Sequence, residues 1–193
     1  MSGGQELVVY TVGHSTRTLP EFIGLMMTYK ISIIIDVRSF PHSKLNPQFN
    51  KENLSEVLRN KEIKYIHLPE LGGLRRPQAD SINMALENKS FRGYADYMQT
   101  KEFTENLLRI VALAKENCLA LMCAEAVPWR CHRSLISDAL AARRINVRHI
   151  LNVQNYTSHE ISPMAQVEGT KVTYPLFTKE KPQKSLTDFS QII

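Results

Sequence analysis

Leu119-Ala-Leu-Met-Cys-Ala-Glu-Ala-Val-Pro-Trp-Arg-Cys-His-Arg-Ser134 is the stretch that decides the fold. Its first four residues are an unbroken apolar run, the pattern of a strand buried on both faces. After Cys123 the polarity changes, and Pro128 marks a loop. From Leu135 the apolar spacing becomes helical, with Ile136, Ala139 and Leu140 on one side. A strand therefore runs through a short loop into a helix. The loop carries two thiols, a carboxylate, an imidazole and two guanidiniums, and the carboxyl ends of strands are where α/β proteins place their ligands.

The pattern repeats on either side. Leu7 to Val12 is a β-rich run stopped by Gly13-His14-Ser15. Thr18-Leu-Pro-Glu21 has the form of a capping box with proline near the first helical position, followed by Phe22, Ile23, Leu25, Met26 and Tyr29 at helical spacing. Ile31 to Val37 is a second apolar run, ending in Asp36-Val-Arg38. Asn50 to Asn60 predicts a short helix. Ile63 to Leu68 is a third strand and leads into Glu70-Leu-Gly72-Gly73 and Arg75. Ser81 to Glu87 reads as a short helix, and Tyr94 to Lys115 as a longer one broken near Thr100. The helix after the opening loop extends through Arg144, and Asn146 to Val153 is a last strand. Alternating strands and helices predict a three-layer α/β domain with a mostly parallel sheet of about five strands, over residues 1–160. Residues 161–193 read as a C-terminal tail, packed on the domain by one short strand at Lys171 to Tyr174.

A chain of 193 residues suits one cored domain. No apolar run approaches the roughly 20 residues of a membrane span, and the first residues lack the build of a signal peptide. Three cysteines do not make a secreted disulfide framework. These features predict a cytoplasmic protein with no membrane partner. Lysine and arginine exceed the acids by 24 − 19 = 5, a mild excess that favours an anionic small molecule or nucleic acid as partner. The oligomeric state is not legible.

In a parallel sheet all the strand ends lie along one edge. His14 and Ser15, Asp36 and Arg38, the Glu70 to Gly73 turn, and Cys123 to Arg133 are thus expected to line one cleft. At these residues the chain resembles a known family. Val12-Gly-His-Ser15, Asp36-Val-Arg-Ser-Phe-Pro41, Tyr65-Ile-His-Leu-Pro-Glu-Leu-Gly-Gly73, Phe91-Arg-Gly-Tyr-Ala-Asp-Tyr97 and Cys123-Ala-Glu with Cys131-His-Arg133 follow in the order seen in a widespread prokaryotic family, the domain of unknown function four-eight-eight. The resemblance covers roughly residues 8 to 155. It implies a Rossmann-like α/β fold and a shared site, and it supplies no reaction.

Three chemistries fit the site residues. The first is a thiol or anion-cradling loop of distant architectural similarity to rhodanese-like domains. Cys131, near a helix N-terminus and flanked by Arg130 and Arg133, is the better candidate thiolate. Against it, the loop lacks glycine and carries Glu125. The second is a zinc site made by Cys123, Cys131 and His132. The third is a metal-independent acid–base site, in which Glu125 or His14 moves a proton while Arg38, Arg133 and Arg75 hold an anion. The leading expectation is a small enzyme acting on a nucleotide or nucleic-acid-derived substrate, a hydrolase or transferase before an oxidoreductase, with no cofactor. Catalytic candidates are Glu125, His14, Cys131 and Cys123; substrate-binding candidates are Arg38, Arg133, His132, Asp36, Ser15, Trp129 and Arg75. The alternatives are a non-catalytic nucleic-acid or partner-binding protein using Tyr94, Tyr97 and Trp129, and a redox-active Cys123–Cys131 pair. Bland readings stand beside these: His67 and His149 as satisfied half-buried residues, His42 and His159 as loop residues, and Cys118 as core.

Overall fold

The computed structural model describes residues 6–176. Its elements are β1 (Val8–Gly13), α1 (Leu19–Thr28), β2 (Ile33–Asp36), α2 (Lys51–Arg59), β3 (Lys64–His67), α3 (Lys89–Tyr97), α4 (Lys101–Ala114), β4 (Leu119–Cys123), α5 (Arg133–Ala141), β5 (Asn146–Ile150), β6 (Tyr156–Ser158), β7 (Gln166–Glu168) and β8 (Lys171–Thr173). The main sheet has the order β3-β2-β4-β1-β5-β6, parallel except for the β5–β6 pair. Strands β7 and β8 form a separate antiparallel hairpin.

The apolar runs explain the three layers. Every residue of β2 and β4 is buried. Side chains alternate across a strand, so Ile33, Ile35, Leu119 and Leu121 face one side and Ile34, Ala120 and Met122 the other. The first set packs with Tyr94 of α3, Leu107 and Ile110 of α4 and Leu135 of α5. The second packs with Phe22 and Met26 of α1 and Leu54 and Leu58 of α2. The result is a three-layer, Rossmann-like α/β fold.

This order also makes the cleft. Strand β4 lies between β1 and β2. The chain leaves β1 and β2 toward helices on one face and leaves β4 toward α5 on the other. The connections diverge and leave a crevice above β4, as at any switch point of a parallel sheet.

Several expectations need correction. The parallel part of the main sheet has the five strands expected, and the chain adds an antiparallel sixth as β6. Ser81 to Glu87 is a series of turns, not a helix. There the Asp96 carboxylate gathers the Gln78 N–H, the Ser81 hydroxyl and the Asn83 amide, at 2.6–2.8 Å, so side-chain bonds replace a helical ladder. The break near Thr100 is real. Its hydroxyl caps α4, and α3 begins earlier than expected, at Lys89 under an Asn88 cap. Helix α5 ends at Ala141, before Arg144 turns left-handed with φ 61°. The strand expected at Lys171 to Tyr174 exists as β8, and Val172 and Tyr174 are buried against the domain. Residues 177–193 of the expected tail lie outside the described residues. Among the described residues, no helix is long and apolar enough to cross a membrane.

Candidate functional site

The end of β1 is built for close approach. A methyl group at Gly13 would overlap the Glu125 carbonyl, so only glycine lets the β4–α5 loop lie against β1. The His14 and Ser15 N–H groups donate to the Cys123 and Ala124 carbonyls at 2.9 and 2.8 Å. Ser15 takes a left-handed φ of 48° to do so.

His14 is buried, with its ring stacked on Phe49 at 4.3 Å. Its Nε2 lies 3.1 Å from Arg38 Nη1, and its Nδ1 lies 2.9 Å from the Ser15 carbonyl. A guanidinium only donates and a carbonyl only accepts. The proton therefore sits on Nδ1, and the imidazole is neutral. Burial, helped by the Arg38 charge, pushes its pKa down to about 4.

Asp36 and Arg38 form a buried pair at the end of β2. Arg38 donates from Nε and Nη2 to the Asp36 carboxylate, from Nη2 to the Phe49 carbonyl, and from Nη1 to His14. Of the five N–H donors of a guanidinium, one Nη1 N–H remains. Tyr65 donates its hydroxyl to Asp36 at 2.6 Å, and burial pushes the phenol pKa up. His67 bonds the Arg38 carbonyl. Asp36 and Arg38 thus mainly hold the loop after β2.

The sulfur atoms lie across the crevice. Cys123 closes β4, and Cys131 follows a one-turn 3-10 helix at Pro128–Arg130. The two Sγ atoms and a His132 ring nitrogen all lie within 4.8 Å of one another. His132 Nε2 donates to the Val37 carbonyl at 3.0 Å, so Nδ1, 3.6 Å from Cys131 Sγ, is free to take the thiol proton and then face the thiolate as an N–H donor. Gly73 lets the imidazole stand there, because a Cβ would come within 2.5 Å of Nδ1. The Cys131 thiol is pushed well down by the hydrogen bond from Cys123, then by His132 and the Arg133 charge. Cys123, the donor of that bond and itself buried, is pushed up. Of the two sulfurs, Cys131 is the one biased toward thiolate.

Arg133 adds a smaller share. It is fully buried at the start of α5. It donates to Thr11 Oγ1 and to the Glu125 carbonyl, while its Nε has no partner. No carboxylate pairs with it among the described residues. A buried charge needs compensation, and the Cys131 thiolate supplies one negative charge. This balance also bears on the metal reading. Zinc would take both sulfurs as thiolates, cancel their charge, and leave Arg133 uncompensated.

Behind Arg133 runs a chain that sequence reasoning missed. Thr11 donates to His149 Nδ1 at 2.7 Å, His149 Nε2 to His159 Nδ1 at 3.0 Å, and His159 Nε2 to Asp138 at 2.8 Å. Tyr174 completes Asp138 at 2.6 Å. Arginine can only donate and carboxylate only accept, so every link points from Arg133 to Asp138. Burial and the neighbouring His159 push the His149 pKa down to about 4. His149 is the satisfied residue expected; His159, though in a loop, is its partner.

A cleft of about 410 Å3 opens over this floor, lined by Arg38, Gly73, Glu125, Arg130, Cys131 and His132, with Cys123 beside them. Phe40, Leu74 and Phe91 complete its walls. The structure brings Cys123, Cys131, His132, Arg38 and Glu125 together. Glu125 is exposed there, and its carboxylate accepts its own loop's Val127 N–H. His14, Asp36 and Arg133 sit beneath the cleft, and Ser15 bonds the β4 loop from the side. Trp129, 68% exposed, lies outside the cleft wall, in the neighbouring groove with Leu86 and Met164. Arg75 is also apart. Its guanidinium sits 3.6 Å over the Tyr97 ring and bonds the Glu70 carbonyl. Tyr94 and Tyr97 are buried rather than exposed. Thr11, Tyr65, Gly73 and Phe49 support the site; Tyr65 and Gly73 stood inside a quoted motif, whereas Thr11 and Phe49 carried no signal.

A family model described as domain of unknown function DUF488 matches residues 18–140, well over half of the chain. The chain belongs to this family. The DUF488 match takes in Asp36, Arg38, Gly73, Cys123, Cys131, His132 and Arg133; His14 and His149 fall outside it. It is narrower than the resemblance, which covers roughly residues 8 to 155. Comparisons with curated proteins and with solved structures give no match.

Proposed function

We propose that this DUF488 protein is a thiol-dependent enzyme acting on an anionic substrate held in the crevice above β4. The observation that carries the reading is the Cys131 sulfur, in the cleft wall, within 4.8 Å of the Cys123 sulfur and of a His132 nitrogen that can take its proton, with a buried guanidinium lacking a carboxylate nearby. A cysteine, a base within reach and a third group orienting that base make an activated nucleophile. Here His132 is the base, and the Val37 carbonyl and Gly73 orient it. Arg130 and the spare N–H of Arg38 favour a negatively charged group beside the sulfur. Glu125 and His14, the sequence candidates for proton transfer, are an exposed side chain and a locked neutral ring, and neither fills that role in this reading.

Alkylation by neutral iodoacetamide, mapped by mass spectrometry across pH, tests it. Cys131 should react with a midpoint well below the ordinary thiol value near 8.5. Cys131→Ser should remove the low-pH reaction and, by taking away the negative charge beside buried Arg133, lower the melting temperature without unfolding the protein. A Cys131 midpoint at or above the ordinary value overturns the reading.

A further inference from the structure

A lone catalytic thiolate needs no second sulfur. This site places one within 4.8 Å of the first and gives both cysteines the same cleft. The two are anchored independently, Cys123 by the central strand and Cys131 by the turn before α5. Cys118 is no competitor, since it lies at the opposite end of β4 against the Tyr29 carbonyl. We propose that Cys123 and Cys131 form one dithiol–disulfide couple, Cys131 attacking and Cys123 resolving, and that the cleft takes the disulfide of an anionic low-molecular-weight thiol. The proposal rests on the reading of Cys131 as nucleophile.

The chemistry balances as follows. The Cys131 thiolate attacks one sulfur of the substrate, R–S–S–R. A Cys131–S–S–R bond forms, the substrate S–S bond breaks, and RS⁻ leaves with the electron pair. The first RS⁻ takes the proton that His132 Nδ1 received from Cys131, and the freed Nδ1 accepts the Cys123 proton. Cys123 then attacks Cys131 Sγ, the protein disulfide forms, and the second RS⁻ leaves. The protein dithiol loses two electrons, and the substrate gains two as a pair of thiols. An external dithiol restores the reduced protein by the reverse exchange.

Arg133 sets the direction of the couple. In the reduced state the thiolate compensates its buried charge; in the disulfide that compensation is gone. The reduced state is therefore favoured, and the couple is an oxidising one. The anionic class of substrate follows from Arg130 and the free Arg38 N–H, which belong to the cleft wall.

The probe is oxidised glutathione, a disulfide of an anionic thiol, added to full-length protein in a Cys118→Ser background. The wild-type pair should end two hydrogens lighter by mass, with no adduct retained. Cys123→Ser should stop at a stable mixed disulfide on Cys131. Cys131→Ser should react at least about ten-fold more slowly. In glutathione buffers of fixed ratio, Arg133→Met should be more oxidised than wild type, a readout that a purely structural arginine would leave unmoved. If Cys123→Ser forms no adduct while Cys131 still alkylates at low pH, this proposal fails and the nucleophile stands. If Cys131 is unreactive in both assays, the functional reading fails as well. A wild-type mixed disulfide that never resolves overturns the role of Cys123. Tightly held stoichiometric zinc that shields both thiols overturns the couple. Should Cys123→Ser not fold, Cys123→Ala supplies the same trap.

Discussion

Gly73 fixes where the His132 imidazole stands. In Gly73→Ala the new methyl would press on Nδ1, and the ring has no slack because its other nitrogen is tied to the Val37 carbonyl. The expected outcome is slower alkylation of Cys131 with a small change in melting temperature. An unchanged rate would remove His132 from the mechanism. Asp36 behaves oppositely. It compensates Arg38 in a fully buried pair and anchors Tyr65. Asp36→Ala leaves an uncompensated buried guanidinium, with an expected loss of about 3–5 kcal/mol in denaturant unfolding. A loss below about 1 kcal/mol would mean that water reaches Arg38.

At the scale of elements, the strand–loop–helix of residues 119–141 is the part most legible in sequence. Its apolar run and its change of period follow from burial alone. The capping box of α1 was equally plain, and it forms: Thr18 and Glu21 bond each other's backbone N–H groups. Thr18→Ala should cost about 1 kcal/mol by thermal unfolding, while an effect near zero would mean that α1 is held by packing alone. Elements set by distant partners were not legible. The turns at 81–87 obey Asp96 and Tyr174 rather than their own composition, and β6 exists only because β5 offers it an edge. Proton-transfer roles given to Glu125 and His14 rested on residue type. The structure leaves Glu125 exposed in the cleft wall and buries His14 between Phe49 and Arg38.

For the whole molecule, two buried neutral histidines make stability depend on pH. His14 and His149 hold pKa values pushed down to about 4, whereas an unfolded histidine titrates near 6.5. Between those values the unfolded chain binds more protons than the native one, so stability rises with pH through this window. On acidification from about 6.5 to about 4 each histidine should cost on the order of 2 kcal/mol, read as a falling urea midpoint. His149→Gln should flatten part of that slope; an identical slope would show that the ring is charged in the folded state. The location of the cleft was legible because parallel strands deliver their ends to one edge. The chain from Arg133 to Asp138 was not, because it joins β1, β5, α5 and the loop after β6, and no local pattern announces such a meeting.

Strand β4, the middle of the sheet, is the fourth to leave the ribosome. Until it arrives, β1 and β2 have no common neighbour and cannot pair with each other. A growing chain that stops before Leu119 therefore carries two apolar strands with open edges, a hazard for association with other chains. Insertion of β4 then joins β1 to β2 and delivers Cys123 in one event, so the sulfur pair is assembled only in chains whose central strands are already joined.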